Sequence, residues 1–230
     1  MTASAASRGW PHTAGVGCRA ATRSRTDGAG LERWLERADV DYGAVAIDSS
    51  GREHHFTRGE WSEKNIDKPF EVMSISKTMV AAVALRYVDE GRLSLDGPLP
   101  DVPTLPDEVV EELTVRRLLA HATGLVDFRG ARDYREDRPL TREQAVAGAA
   151  SVSDLTSLDV DYASTNYIAT GLLLEEVGGS PLDKILEREL FRPLGLDSTR
   201  LVNNDRDGFV GQGSAGVVST LGDIAKWYDA

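Results

Sequence analysis

The stretch FEVMSISKTMVAAVALRYVDEG, from Phe70 to Gly91, decides the fold of this chain. From Met73 to Leu85 nearly every side chain is apolar or small, without the polar stripe of a surface helix. This pattern predicts a helix that is buried on all sides. A glycine directly after two acidic residues, as at position 91, is typical of a helix C-terminus.

Two polar residues stand near the start of this predicted helix. Ser74 and Lys77 are three positions apart, so they share a helical face with Cβ atoms roughly 5–6 Å apart. Lys77 lies inside an apolar run, unlike the other lysines of the chain, which are Lys64, Lys68, Lys184 and Lys226. Loss of solvation favours the neutral amine, which can take a proton from a neighbouring hydroxyl. The pair therefore predicts a serine nucleophile with a lysine base; the alternative is a chance Ser-x-x-Lys match.

The overall composition limits the classes of partner. The chain has 230 residues, 41% of them hydrophobic, and a formal net charge of -11. This length supports one sizeable core, and the negative charge argues against binding to nucleic acid or to anionic membranes. No stretch approaches the roughly 20 apolar residues of a membrane span. A soluble surface without nucleic-acid or membrane partners is therefore expected.

The residues that bind metals are few and scattered. Cys18 is the single cysteine, and the histidines are His12, His54, His55 and His121. His54 and His55 are neighbours in a predicted strand, so they face opposite ways and do not chelate one ion together. The sequence therefore predicts no metal site, no disulfide and no cofactor.

The first 30 residues differ in composition from the rest of the chain. They are rich in Ala, Ser, Thr, Arg and Gly, and they lack the apolar core of a secretory signal. We therefore expect 1–30 to be a disordered tail, with sequence upstream of the true start as the alternative. A globular domain over 31–230 and a cytoplasmic protein are expected.

Periodicity and turn residues predict one hairpin followed mostly by helices. The β-like runs 42–48 and 52–58 flank a Ser-Ser-Gly turn. Thr114, Thr141 with Gln144, and Thr220 with Asp223 are predicted helix caps. The predicted helices besides the central one are 31–38, 114–121, 141–150, 165–177, 180–190 and a last helix from position 220 to the chain end.

Six segments in order resemble the serine β-lactamase and penicillin-binding-protein superfamily, in the branch of class C β-lactamases, DD-peptidases and esterases. They cover about Phe70 to Trp227. The segments are FEVMSISKT (70–78), LSLD (93–96), LTVRRLLAHATGL (113–125), YASTNYIATGLLLEEVGG (162–179), FRPLGLDST (191–199) and AGVVSTLGDIA (215–225).

The resemblance implies an α/β fold in which a helical lobe, about 93–210, is inserted in an antiparallel-sheet lobe. It implies a serine hydrolase that acts through an acyl-serine intermediate on a β-lactam, a D-Ala peptide or a small ester, without a cofactor. Ser74 is then the nucleophile, and Lys77 and Tyr162 handle its proton. Ser164 stands where the family has a substrate-orienting Asn. His121 is expected to be structural, and substrate contact is not expected from the charged loop at 128–135.

The third motif of the superfamily, Lys-Thr-Gly or His-x-Gly, is expected on a later strand. The sequence given ends at Ala230, one helix after the GVVST segment, and residues 211–216 lack the required Lys or His. We therefore expect a C-terminally truncated sheet lobe that leaves the hairpin edge open to self-association. Met73, Val80 and Val83 are expected to be partly exposed, and the chain to be poorly stable and inactive. An inactive remnant and a ligand- or penicillin-sensing module are the alternative functions.

Overall fold

The computed structural model describes residues 33, 36–37, 42–47, 52–62, 64–131, 134–135, 140–202 and 212–230. The predicted tail 1–30 and most of the predicted helix 31–38 lie outside the described residues. The chain divides into two compact units between Asp67 and Lys68. The predicted extents of the domain and of its helical lobe stay predictions.

The first unit contains the predicted hairpin. Strands β1 (Tyr42–Ile47) and β2 (Glu53–Arg58) pair antiparallel. The register runs from Tyr42 opposite Arg58 to Ile47 opposite Glu53. Along β2, His54 is half-buried and His55 is exposed, so the two imidazoles lie on opposite faces as the sequence indicates.

The second unit contains the central helix and the remaining elements. A 3₁₀ turn at Met73–Ile75 leads into the central helix, which we label α1. The strands of this unit are β3 (Phe70–Glu71), β4 (Arg200–Leu201) and β5 (Val217–Ser219). Its helices are α1 (Ser76–Asp89), α2 (Asp107–Glu112), α3 (Val115–Leu119), α4 (Arg142–Ala150), α5 (Ser164–Gly178), α6 (Leu182–Leu186) and α7 (Leu221–Asp229), with a π-helical turn at Glu187–Phe191 after α6.

The three short strands form a separate antiparallel sheet in the order β3-β5-β4. Phe70 lies opposite Ser219, and Leu201 lies opposite Val217. Sequence analysis does not predict these strands because two or three residues are too few to show alternation. The sheet places the segment before Ser74 directly against β5.

Helix α5 is the centre of the helical part of the second unit. Every residue from Ser164 to Leu174 is buried, and the helix packs against α1, α3, α4 and α6. An apolar surface on all sides is the pattern expected for a helix enclosed by other helices. The left-handed Gly179 ends it, with φ of 61°, as the Gly-Gly pair predicts.

Two of the three side chains that were expected to be partly exposed to solvent lie in the core. Val80 and Val83 are completely buried, so that prediction is wrong for them, whereas Met73 is 58% exposed. Both valines belong to one apolar cluster with side chains of α5 and α6. The physical reason is that helices, rather than additional strands, cover this face of α1. The prediction of burial on all sides fails at Leu85, which is 45% exposed.

The predicted helix caps are confirmed, with one difference. The Thr114 hydroxyl accepts from the Arg117 N–H, and Thr141 forms the full capping box with Gln144. Thr220 accepts from the Asp223 N–H at 3.2 Å. The Asp223 carboxylate bonds elsewhere, to the Ser198 N–H at 2.8 Å and the Thr199 hydroxyl at 2.9 Å, and so ties α7 to the segment before β4.

Candidate active site

Ser74 lies on a strained turn that is anchored to β5. The preceding residue, Met73, has φ of 49°, a left-handed conformation that costs a non-glycine residue about 1–3 kcal/mol. The Val72 N–H donates to the Val217 carbonyl at 2.9 Å. Ser76 Oγ donates to the Met73 carbonyl at 2.6 Å and accepts from the Val217 N–H at 3.2 Å. These bonds fix the direction in which the Ser74 side chain leaves the helix start.

Lys77 lies in the first turn of α1 and is 5% exposed. Its Nζ donates to Ser74 Oγ at 3.1 Å and to the Ser214 carbonyl at 2.7 Å. The same nitrogen lies 5.1 Å from the centre of the Tyr162 ring and 5.9 Å from that of Tyr167. The amine is therefore held at the serine by directed contacts, as a buried lysine requires.

The Ser214 carbonyl reaches Lys77 because of a glycine beside it. Gly213 has φ of 96°, and a Cβ there would lie 2.3 Å from the Tyr167 carbonyl oxygen. Only glycine allows the chain to pass so close to α5 in this conformation. Sequence analysis examined this segment as a possible third motif and did not detect its contact with Lys77, since a carbonyl oxygen leaves no residue-type signal.

Tyr162 lies two residues before the start of α5 and completes the cluster. Its hydroxyl donates to Ser74 Oγ at 2.9 Å, and its side chain remains accessible, with the residue 56% exposed. Burial opposes ionisation, but the hydrogen bonds with Lys77 and Ser74, together with the Lys77 charge, lower the pKa of the Tyr162 phenol. The structure thus brings together the three residues that the sequence singled out for catalysis.

Ser164 lies two residues beyond Tyr162, at the first position of α5. It is 9% exposed, and its N–H donates to Asp127 Oδ2 at 2.9 Å. The structure therefore places this predicted substrate-binding residue at the first position of α5, with its backbone N–H held by a carboxylate. Its role toward a substrate stays a prediction.

Asp127 is a residue of this region that sequence analysis did not single out. Burial alone would raise its pKa, but hydrogen bonds from the Arg129 side chain and from the Ser164 and Arg129 N–H groups hold it at about 2. The Arg129 Nε lies 2.7 Å from Asp127 Oδ1. An aspartate in a charged loop gives no local sign that it will cap a helix 37 residues later.

This depressed pKa predicts a pH-dependent contribution to stability. Because the carboxylate is favoured in the folded state, Asp127 contributes fully above its ordinary value of 3.8 and loses that contribution as the pH falls toward about 2. Asp127→Asn is expected to lower the free energy of unfolding by about 1–2 kcal/mol at pH 7, allowing for the exposure of Arg129. Urea unfolding at pH 7, 5 and 3 should show the difference retained at pH 5 and partly lost at pH 3.

The matched control for this measurement is Asp101→Asn, at an exposed aspartate in a loop. It should leave the free energy of unfolding within about 0.5 kcal/mol of the wild type. An Asp127→Asn effect that does not change between pH 7 and pH 3 would show that the carboxylate charge is not what stabilises this loop.

His121 also contacts the cluster. Its ring centre lies 4.6 Å from that of Tyr162 and 5.2 Å from that of Tyr167. Burial first and the Lys77 charge second lower the pKa of this imidazole, against an opposing backbone contact at Ala163. Asn166, which sequence analysis quoted within YASTNY without assigning it a role, is fully buried and lies 3.2 Å from His121 Nδ1.

Neither a metal site nor a membrane span is found in the described ranges. Among these residues no group of three His, Cys, Asp or Glu side chains has the geometry to hold an ion. Likewise, none of the described helices is both long and apolar enough to cross a bilayer.

The fold and the converging Ser74, Lys77 and Tyr162 are those of the Ser-x-x-Lys class of proteins. The chain belongs to the Beta-lactamase family, whose pattern matches residues 33–230. Penicillin-binding protein 4 of Amycolatopsis lactamdurans is 31% identical in an alignment of 183 positions that covers 71% of this chain and 47% of that protein. D-alanyl-D-alanine-carboxypeptidase/endopeptidase AmpH of Escherichia coli is 26% identical in an alignment of 189 positions that covers 70% of this chain and 48% of that protein.

The same fold occurs among solved structures. A D-stereospecific amidohydrolase from Streptomyces sp. superposes with a TM-score of 0.70 at 24% identity, over 88% of this chain and 72% of that one. This likeness shows the mixed α/β fold of β-lactamases and transpeptidases, as the sequence predicts. The chain spans about half the length of the two curated relatives described above.

Proposed function

We propose that this chain carries the acylation site of a serine hydrolase that works through an acyl-serine intermediate. One observation carries the proposal: Ser74 Oγ is contacted by both Lys77 Nζ, at 3.1 Å, and Tyr162 Oη, at 2.9 Å. A serine hydroxyl is a weak nucleophile until a neighbouring base removes its proton. Two groups that can hold that proton lie within hydrogen-bond distance of this one.

The proposed reaction begins with attack of Ser74 Oγ on a substrate carbonyl carbon. The serine proton passes to the Lys77–Tyr162 pair, which then delivers it to the leaving group as the carbonyl–leaving-group bond breaks. The product is an ester on Ser74. Water attacks this ester, gives its proton to the same pair, and releases the acid as Ser74 regains a proton.

The strained turn has a function in this scheme. Met73, with φ of 49°, precedes the nucleophile and orients the Ser74 N–H at the start of the turn. A backbone N–H beside the nucleophile is the type of donor that stabilises the oxyanion of a tetrahedral intermediate. We assign this role to the Ser74 N–H, because it belongs to the attacking residue and is held by the same bonds to β5.

The proposed substrate is a β-lactam, a D-Ala peptide or a small ester. The names of the two relatives refer to penicillin binding and to D-alanyl-D-alanine cleavage. These compounds share an acyl carbonyl next to a leaving group, which is what the Ser74 cluster requires. Around it, exposed Met73 and the Tyr162 ring offer apolar contact area for such small substrates.

Acylation of the purified chain tests this proposal. Residues 1–230 are incubated with a fluorescent penicillin and, separately, with a fluorophosphonate, and the adduct is located by mass spectrometry of peptides. We expect one adduct per chain, on Ser74. Turnover of a small chromogenic ester then separates a hydrolase from a sensing module, which keeps its adduct without turnover. A folded chain that forms no adduct with any probe contradicts the proposal and identifies an inactive protein.

A further inference from the structure

His121 holds the polypeptide on both sides of Tyr162. Its carbonyl oxygen accepts from the Asp161 N–H at 3.0 Å, and its Nδ1 accepts from the Ala163 N–H at 3.3 Å. Between these two bonds the Tyr162 ring lies tilted by 32° against the imidazole, with 4.6 Å between the ring centres. One residue thus fixes the backbone before and after the tyrosine and one face of its ring.

The hydrogen bonds around His121 determine where its proton lies. The Thr123 hydroxyl donates to Asn166 Oδ1 at 2.6 Å, so Nδ2 of the same amide is the group that faces His121. Asn166 Nδ2 lies 3.2 Å from Nδ1 of His121 and also donates to the Ala163 carbonyl. Two N–H donors, from Ala163 and Asn166, therefore converge on Nδ1. A nitrogen that accepts both carries no proton, so the imidazole is neutral, with its hydrogen on Nε2.

Protonation of Nδ1 would disturb this arrangement in two ways. It would replace an acceptor with a donor opposite two N–H groups, at Ala163 and Asn166. It would also place a positive charge near Lys77, whose charge already opposes ionisation of His121. Three titratable groups face the imidazole. They are Lys77 from α1, Tyr167 from α5, and Tyr162, which lies two residues before α5. Asp127 accepts from the Ser164 N–H and is not among the groups that shift the pKa of His121.

We infer that His121 is a positioning residue that holds the Tyr162 hydroxyl on Ser74 only while its imidazole is neutral. The inference rests on the proposed function, since it assigns a task to the tyrosine of that site. It departs from the sequence-based expectation that His121 is merely structural. Its consequence is that acylation slows in acid. Protonated His121 no longer accepts from the Ala163 N–H, and so it no longer holds the backbone beside Tyr162 in place.

Two substitutions at His121 separate positioning from packing. His121 has φ of 56°, a left-handed conformation that both Asn and Gly tolerate. His121→Asn keeps a short acceptor near the place of Nδ1 but cannot be protonated. His121→Gly removes the acceptor and the ring without straining the backbone. The pair is therefore matched in conformation and differs in the hydrogen bonds to Ala163 and Asn166.

The rate of acylation by fluorescent penicillin is measured for both variants between pH 5 and pH 8. We expect His121→Gly to be slower by about 10²-fold at pH 7.5, because a displaced catalytic group costs that much. His121→Asn should lie within about 10-fold of the wild type, because its acceptor limits the displacement of Tyr162, and it should decline less in acid than the wild type does. His55→Asn, at an exposed histidine of β2, is the control and should change neither rate nor pH profile. Equal rates for the Asn and Gly variants, or an unchanged acid decline in His121→Asn, would overturn the inference.

A second measurement does not depend on acylation. The ¹⁵N NMR spectrum of the imidazoles, assigned with His121→Asn, should show His121 protonated on Nε2 alone at pH 7. Ultraviolet titration against a Tyr162→Phe reference should show the pKa of Tyr162 lowered in the wild type and in His121→Asn, and returned to its ordinary value in His121→Gly. A proton on Nδ1, or an unmoved Tyr162 titration, refutes the positioning role. If these results are as expected and no probe acylates Ser74, the proposed function fails separately.

Discussion

Ser74→Ala is expected to abolish acylation of the chain by penicillin and fluorophosphonate probes. The variant keeps the turn, the buried Lys77 and the Tyr162 phenol but removes the atom that both groups contact. Loss of a nucleophile from a cooperating set costs about 10⁴–10⁶-fold in rate, because the remaining members have nothing to activate. Labelling is measured by in-gel fluorescence and by intact mass over several hours.

Ser151→Ala is the matched control for this experiment. Ser151 is an exposed serine just after α4, where its hydroxyl donates to the Gly148 carbonyl. Its replacement should leave the labelling rate unchanged. Labelling of Ser74→Ala at the wild-type rate would show that another residue is the nucleophile, and the mass of the modified peptide would identify it.

Lys77→Arg is expected to slow acylation by about 10²–10⁴-fold, the usual contribution of a general base. Arginine keeps the positive charge and the capacity to donate to the Ser214 carbonyl, but it cannot lose its proton at a usable pH. The comparison therefore tests proton transfer and not charge. Acylation by the fluorescent penicillin is measured at pH 7.5 and again at pH 9.

Two controls separate chemistry from packing in this variant. Lys184→Arg, at a lysine whose side chain is 71% exposed, should acylate at the wild-type rate. Because Lys77 is 5% exposed, thermal unfolding of Lys77→Arg shows whether the larger guanidinium disturbs the core. Near-normal acylation by a folded Lys77→Arg protein would show that Lys77 acts through its charge or its packing alone.

The local parts of the fold were predictable from the sequence because they depend on residues a few positions apart. The apolar run after Ser74 specifies the buried helix α1, and the Thr141–Gln144 pair specifies the start of α4. The hairpin follows from two β-like runs around a short turn. The helix α2 and the strands β3, β4 and β5 were missed, since six residues or fewer carry little periodicity.

The part of the candidate site that depends on neighbouring residues was also predictable from the sequence. The Ser74–Lys77 pair needs only one turn of helix, so its geometry follows from the spacing along the chain. Tyr162 was found through the resemblance of YASTNY to a family motif, since no local rule connects it to a serine 88 positions earlier. Asp127 could not be identified, because its contact with the Ser164 N–H depends on how a loop folds back on α5.

By itself, the sequence determined most of the described helices and which two residues share the face of the buried one, because helix periodicity and capping are local. Tertiary structure alone decided what completes the site. It brought the Ser214 carbonyl to Lys77 from 137 positions away, through the close approach that Gly213 permits. It also brought His121 into contact with the backbone before and after Tyr162. There, the two N–H donors that converge on Nδ1 require a neutral ring. Apart from the Asn166 amide, the partners in these contacts are backbone atoms of distant segments, which carry no side-chain identity and so leave no pattern in the sequence.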